Sequence, residues 1–291
     1  MPAEHPFSLF LRVNHALWKR LPAAARDTRI ARWYGGILHK LVCRGARRRQ
    51  YFGTFFFRNR PALEQIRRLI YLRAKGSSLR IAILGCSTGA EIYSVLWTIR
   101  VARPDLKLDV HAVDISAEIL DVAAKAVYTS ASSELEGRSI FERMTDAQRH
   151  EIFDWDGDRA TVKAWIREGI SWRVGDAGDP ELVALLGPQD LVLASNFLCH
   201  MDPAAAERCL RNIARLVNSG GYLFVSGVDL AVRTKVARDL GWQPLRELLR
   251  EMHDGDPSVR SDWPWNWWGL EPFDDTRRDW QLRYAVAYRL D

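Results

Sequence analysis

The chain has 291 residues, 47% of them hydrophobic, and a net charge of +6. That is enough for one large core, with room for a small second unit. Several classes are excluded. No apolar run approaches the roughly 18–20 residues that span a bilayer, Arg12 and His15 cut short the N-terminal apolar stretch Phe7–Leu11 of a would-be signal peptide, and Cys43, Cys86, Cys199 and Cys209 stand at no metal-ligand spacing, as expected of reduced thiols in a cytoplasmic protein.

In chain order, residues 1–50 form a basic leader. They hold eleven Lys or Arg against two acids (Glu4 and Asp27), a net +9 that leaves −3 for the remainder. Phe10, Val13, Leu17 and Leu21 make one helical stripe, Pro22 breaks it, and Ile30, Trp33, Ile37, Leu38 and Leu41 make another. Such a leader suits an acidic partner, a nucleic acid or a membrane surface, or simply a solvated helix face. It carries no DNA- or RNA-binding motif, and no nucleic-acid partner is expected. A further helix is expected over 61–75. Then strands near 79–84, 108–113, 170–174, 190–194 and 221–225 alternate with helices near 89–102, 117–126, 179–186 and 203–217. That order predicts an α/β fold, a parallel sheet covered on both faces. Asp156-Gly157-Asp158 before the alternating run Ala160–Arg167 predicts a small β-hairpin insertion, about residues 153–170. A Pro-, Asp- and Trp-rich loop follows at about 252–280. Leu282–Tyr288 reads as a final strand, with 242–248 as its antiparallel neighbour. The catalytic domain is thus expected over 51–291.

The most informative stretch runs from Ile81 to Ser94. An apolar strand enters the small-residue turn Gly85-Cys86-Ser87-Thr88-Gly89, and a helix follows from Glu91. A strand, a glycine turn and a helix present backbone N–H groups to a ligand at the switch point of an α/β sheet. The turn has neither Gly-x-x-x-x-Gly-Lys-Ser/Thr nor Gly-x-Gly-x-x-Gly, which argues against phosphate-binding turns of those types. The second strand ends in Asp114, where an acid can accept bonds from both ribose hydroxyls. An adenosine ligand without pyrophosphate fits best, and S-adenosylmethionine is the leading candidate.

Two motifs make the chain resemble the CheR-type chemoreceptor methyltransferases, a class I S-adenosylmethionine-dependent family that methylates protein glutamates. Thr54-Phe55-Phe56-Phe57-Arg58 is similar to the family's Thr-x-Phe-Phe-Arg, and Ser87-Thr88-Gly89-Ala90-Glu91-Ile92-Tyr93-Ser94 to its Ser-Thr-Gly-Glu-Glu-Pro-Tyr-Ser. Asp114-Ile115-Ser116 resembles its ribose-binding Asp-Ile-Ser, and Ala124–Tyr128 resembles a further segment more loosely. The resemblance covers roughly residues 51–235 and the last strand. It implies a Rossmann-like sheet of seven strands and S-adenosylmethionine as cofactor. By resemblance, Thr54 and Arg58 approach the cofactor and the reacting centre, while Glu91 holds the methionyl part and Asp114 with Ile115 the ribose. Asp176 and Ala177 lie beside the adenine, and Asn196 lines the site. With Gly85, Ser87, Thr88 and Gly89 of the turn, these make the expected cofactor set, and no metal is expected.

The acceptor side departs from the family. Its Cys-Arg-Asn-Val-Leu-Ile-Tyr-Phe is here Ala194-Ser195-Asn196-Phe197-Leu198-Cys199-His200-Met201, so a serine replaces the arginine and His200 the tyrosine. Arg58 can hold a carboxylate acceptor through two parallel bonds. His200 can take a proton from another nucleophile. The pair Arg58 and His200 is therefore the expected catalytic set. Methyl transfer to an N- or O-nucleophile of a small metabolite is slightly preferred. Glutamate O-methylation on a protein and a non-catalytic cofactor-binding scaffold remain the alternatives. Trp263–Trp268, with acids around it, could close over a substrate, bind a cation or meet a partner. Nothing in the sequence fixes the oligomeric state.

Overall fold

The computed structural model describes residues 8–26, 28–44, 52–130, 133–135, 138–255, 271 and 273–291; Trp263–Trp268 lies outside them. The helices are α1 Ser8–Arg20, α2 Ala23–Arg26, α3 Arg29–Arg44, α4 Arg60–Tyr71, α5 Ala90–Ala102, α6 Ala117–Lys125, α7 Asp146–Ile152, α8 Ala164–Arg167, α9 Pro180–Leu186, α10 Pro203–Ala214, α11 Leu230–Asp239, α12 Leu249–Asp254 and α13 Trp280–Tyr284. The strands are β1 Ser78–Leu84, β2 Lys107–Asp114, β3 Val127–Thr129, β4 Ser133–Leu135, β5 Arg138–Ser139, β6 Phe153–Asp156, β7 Arg159–Val162, β8 Ile170–Val174, β9 Gln189–Ser195, β10 Val217–Ser226, β11 Gln243–Pro244 and β12 Ala287–Leu290.

Seven strands form one sheet in the order β11-β12-β10-β9-β1-β2-β8. The five from β8 to β10 are parallel, while β12 runs antiparallel to both β10 and β11. The strand order reverses at β1, between β2 and β9, so a crevice opens there at the carboxyl ends of the strands. The central strands are apolar runs because both faces are covered. Ile81 and Ile83 join the core shared with α4, α5 and the small β-sheet, whereas Ala82 and Leu84 face α9, α10, α11 and α13.

Helix starts follow from local chemistry. Asn59, Ser116, Asp179, Asp202 and Asp229 each cap a helix through a side-chain oxygen, and Pro follows at the first turn of α4, α9 and α10. The hairpin forms as β6 and β7 around Gly157, and β3 pairs antiparallel with β7 to make it a three-stranded sheet. Tyr128 of β3 donates to the Thr88 carbonyl at 2.6 Å, tying this small sheet to the glycine turn.

Three local expectations need correction. Residues 164–167 are helical, so the alternation that suggested a strand to Arg167 stops at Val162. The last strand is Ala287–Leu290, not Leu282–Tyr288, because Trp280–Tyr284 is a helix whose Tyr284 is fully buried. The ends of the expected 252–280 loop likewise belong to α12 and α13. In the leader, α1 and α3 carry the two predicted stripes. No helix among the described residues is long and apolar enough to cross a membrane.

Candidate active site

The turn after β1 uses three left-handed residues in five: Gly85 at φ +64°, Ser87 at +50° and Gly89 at +92°. At Gly85 a Cβ would sit 2.6 Å from the Phe197 ring, so a side chain is disfavoured both by conformation and by space. The Ser87 N–H donates to Asp114 Oδ2 at 2.9 Å, and the Cys86 N–H to the Val113 carbonyl at 3.1 Å. The turn is thus laced to the end of β2, the strand beside it. Ser116 N–H donates to Asp114 Oδ1 at 3.2 Å, which fixes the carboxylate from its other side.

The segment Thr54–Arg58 is held by its aromatic residues. Phe55, Phe56 and Phe57 are all buried. Phe56 packs edge-on against Tyr128 and Phe153, each at 5.1 Å between ring centroids. Phe57, at φ +55°, donates its N–H to Ser94 Oγ at 3.0 Å on α5. The Phe52 carbonyl accepts from Ser87 Oγ. These bonds lay Thr54 and Arg58 across the mouth of the glycine turn.

Two loops close the opposite side. Asn196, after β9, is left-handed at φ +61°, and its N–H donates to the Ser226 carbonyl at 3.0 Å. Gly227 approaches so closely that a Cβ there would lie 2.4 Å from Asn196 Cα. After β8, the Asn212 amide on α10 donates to the carbonyls of Ala177 and Asp179 at 2.9 and 3.0 Å, pinning the Gly175–Ala177 loop.

A cavity of about 930 Å³, including its open mouth, lies between these parts. Its wall includes eleven of the thirteen expected residues: Thr54, Arg58, Gly85, Ser87, Glu91, Asp114, Ile115, Asp176, Ala177, Asn196 and His200. Thr88 and Gly89 are not on that wall. Gly89 instead starts α5 as its left-handed N-cap, and Thr88 is the acceptor for Tyr128. Phe52, Phe197 and Met201 also line the cavity. Phe197 and Met201 fall in the segment Ala194–Met201 that departs from the family, and Phe52 stands just before the Thr54–Arg58 motif, so only these places could have suggested them.

A second cavity, of about 780 Å³ with its opening, adjoins the first. Arg58, Glu91, Ser195 and Asn196 belong to both walls. The second is otherwise apolar toward α4 and the sheet (Leu63, Ile66, Leu193, Phe224, Val286), with buried Arg233 and His253 on its wall. His200 lines the first cavity only. Enclosure pushes the Glu91 carboxyl above its ordinary range, opposed by the Ser195 hydroxyl and the Arg58 guanidinium. Burial pushes the Cys86 thiol well up, with the Asp114 charge adding to it, so this cysteine is inert.

The chemistry of the wall fits S-adenosylmethionine. The cofactor presents a cationic ammonium and sulfonium, a carboxylate and two ribose hydroxyls; the wall offers Glu91, Asp114 and Asp176 as acceptors and Arg58 as a cation. Among the described residues no cluster of His, Cys, Asp or Glu could hold a metal.

The family described as "CheR methyltransferase, SAM binding domain" matches residues 53–237. The "Probable biofilm formation methyltransferase WspC" of Pseudomonas aeruginosa is 27% identical over 212 residues, covering 71% of this chain and 48% of the relative. "Chemotaxis protein methyltransferase 1" of Vibrio cholerae is 28% identical over 164 residues, covering 54% of this chain and 56% of the relative. The chain spans about half the length of these two curated relatives. With a match over most of the chain, and with strand order, glycine turn and acidic wall in agreement, the chain belongs to the CheR family of S-adenosylmethionine-dependent methyltransferases, and residues 53–237 are its cofactor-binding domain.

Proposed function

We propose that this chain O-methylates a protein carboxylate, the side chain of a glutamate. The observation that carries the reading is the position of Arg58 on the wall common to the two cavities. When bound, S-adenosylmethionine supplies an electrophilic methyl on sulfur, open to in-line displacement. Arg58 orients the acceptor carboxylate by two parallel bonds at the edge of the cofactor cavity. Asp114, held by the Ser87 and Ser116 N–H groups, would accept from the ribose, and Glu91 would pair with the methionyl ammonium. Thr54 and Asn196 line the same cavity, and Asp176 with Ala177 would flank the adenine. An ionised carboxylate needs alignment and desolvation but no base.

Two observations move the preference away from a small metabolite. Several relatives are named "Chemotaxis protein methyltransferase". His200, the histidine expected as a general base, lines the first cavity and not the second, where His253 is engaged through its Nε2 with the Glu271 carbonyl.

The test is a labelled-methyl assay with the full chain and total protein extract, followed by alkali. A carboxyl ester releases the label as methanol from the protein fraction. Label that stays bound in alkali, or that runs with small molecules, returns the assignment to an N- or O-nucleophile of a metabolite. Cofactor binding with no label in any fraction favours a binding scaffold.

A further inference from the structure

Helices α1 and α3 are tied together by a side-chain hydrogen bond. Trp18 and Leu38 are buried, and the Tyr34 hydroxyl donates to Asn14 Oδ1 at 2.5 Å. Most residues of the two predicted stripes are nevertheless on the outside. Phe10, Val13 and Leu17 of α1 lie within one helical face, as do Ile30, Trp33 and Ile37 of α3, and all six are exposed, Ile30 at 79% and Trp33 at 68%. The sequences of α1, α2 and α3 together contain eight Lys or Arg and no acid. Lys19, Arg20 and Arg29 are exposed where α1 ends and α3 begins, beside exposed Leu21. The cofactor-binding match starts at residue 53, so this surface stands outside it.

We propose that α1 and α3 form a docking face for an anionic lipid surface, lying in its plane. The apolar stripe enters the headgroup–acyl boundary, Trp33 sits at that boundary, and the cations meet the headgroups. An acid-free helix pair matches a uniformly anionic surface over its whole length. Nucleic acid would satisfy the cations but leave the exposed apolar stripe in water. At 13 and 16 residues, neither helix is long enough to cross the bilayer.

The experiment is co-sedimentation of the full chain with phosphatidylcholine vesicles and with vesicles containing about one-third phosphatidylglycerol. The bound fraction is expected to be about tenfold higher on the anionic vesicles and to fall in high salt. Ile30→Ser with Trp33→Ser, and separately Lys19→Glu with Arg20→Glu, are each expected to lower binding about tenfold while cofactor affinity stays the same. These side chains are exposed, so the variants should fold, and cofactor titration checks that they do. Equal binding to both vesicle types overturns the proposal, as does undiminished binding by the serine variant. Preferential capture by soluble polyglutamate, in competition with vesicles, assigns the face to an acidic protein instead. A dimer that the serine substitutions dissolve, in the absence of lipid, assigns it to a second copy.

Discussion

Asp114 accepts the backbone N–H of Ser87 at 2.9 Å, joining the end of the second strand to the turn after the first. One carboxylate oxygen therefore fixes the path of the glycine turn, and the carboxylate as a whole lines the cofactor cavity. Asp114→Asn keeps the size of the side chain but loses its charge. Cofactor affinity is expected to fall roughly 10–100-fold, the worth of one charge-assisted bond at about 1.5–3 kcal/mol. Thermal melting should drop by only a few degrees. Calorimetric titration with S-adenosylhomocysteine checks the first, and a melt without ligand checks the second.

Arg58→Ala should separate the two cavities' roles. Turnover is expected to collapse by about 10²-fold or more, since alignment of the acceptor is lost, while cofactor affinity weakens modestly. Arg58→Lys should recover little, because an ammonium cannot form the parallel pair of bonds. Near-normal turnover of either variant removes Arg58 from the reacting centre.

His200→Asn distinguishes the acceptor classes. With a carboxylate acceptor no proton is removed, and kcat should stay within a few-fold of the parent. A nucleophile needing a general base would lose about 10²–10⁴-fold. The pH–rate profiles of parent and variant should accordingly keep the same shape.

Glu91 gives a pH signature. Its carboxyl is raised above the ordinary range by enclosure, against the pull of Ser195 and Arg58. The folded state thus favours the protonated form. The stability from this group is fully present below the ordinary carboxylate value of about 4.3 and is lost as pH rises through the raised value. A cationic ammonium beside Glu91 favours the ionised form. Cofactor binding should therefore strengthen as pH rises through that window and release protons to the buffer. Glu91→Gln should abolish the proton release, seen as identical binding heats in buffers of different ionisation enthalpy.

Two glycines can be ranked by what a Cβ would meet. Gly85→Ala brings a methyl to 2.6 Å from the Phe197 ring at a φ of +64°, and a ring can swing aside; about 1–3 kcal/mol of destabilisation is expected. Gly227→Ala meets backbone at 2.4 Å, which cannot move without the strand end, so its melting point should fall further. Paired thermal melts give the order.

Much of this architecture is legible in the sequence for a simple reason. Strands such as Ile81–Leu84 and Leu191–Ala194 are buried on both faces and so read as unbroken apolar runs. Helix α11 is not legible in that way. Arg233 sits in its middle, almost fully buried, donating to the carbonyls of Val225 and Arg283 at 3.0 and 2.8 Å, so a charge occupies an inward position of the pattern. The last strand was displaced because alternation continues through Arg283 and Tyr284, whose bonds to Glu271 at 2.5 and 2.7 Å hold them in a helix instead. The cofactor cavity could be anticipated because its wall is concentrated in motif-bearing turns. The second cavity draws on α4, α5, α11, α12 and the strands β9 and β10, and most of its wall beyond Arg58, Glu91, Ser94, Ser195 and Asn196 lies outside the motifs.

The close approach of Gly227 to Asn196 has a consequence for redesign. Both residues serve the path of the main chain, and their neighbours Ser195, Phe197 and His200 project from a frame that those two positions hold rigid. Of the three, Ser195 lies on the wall of both cavities, so acceptor preference is best varied there, as an interchangeable fitting on a fixed mount. A library that randomised 196 or 227 would spend most of its members on broken mounts.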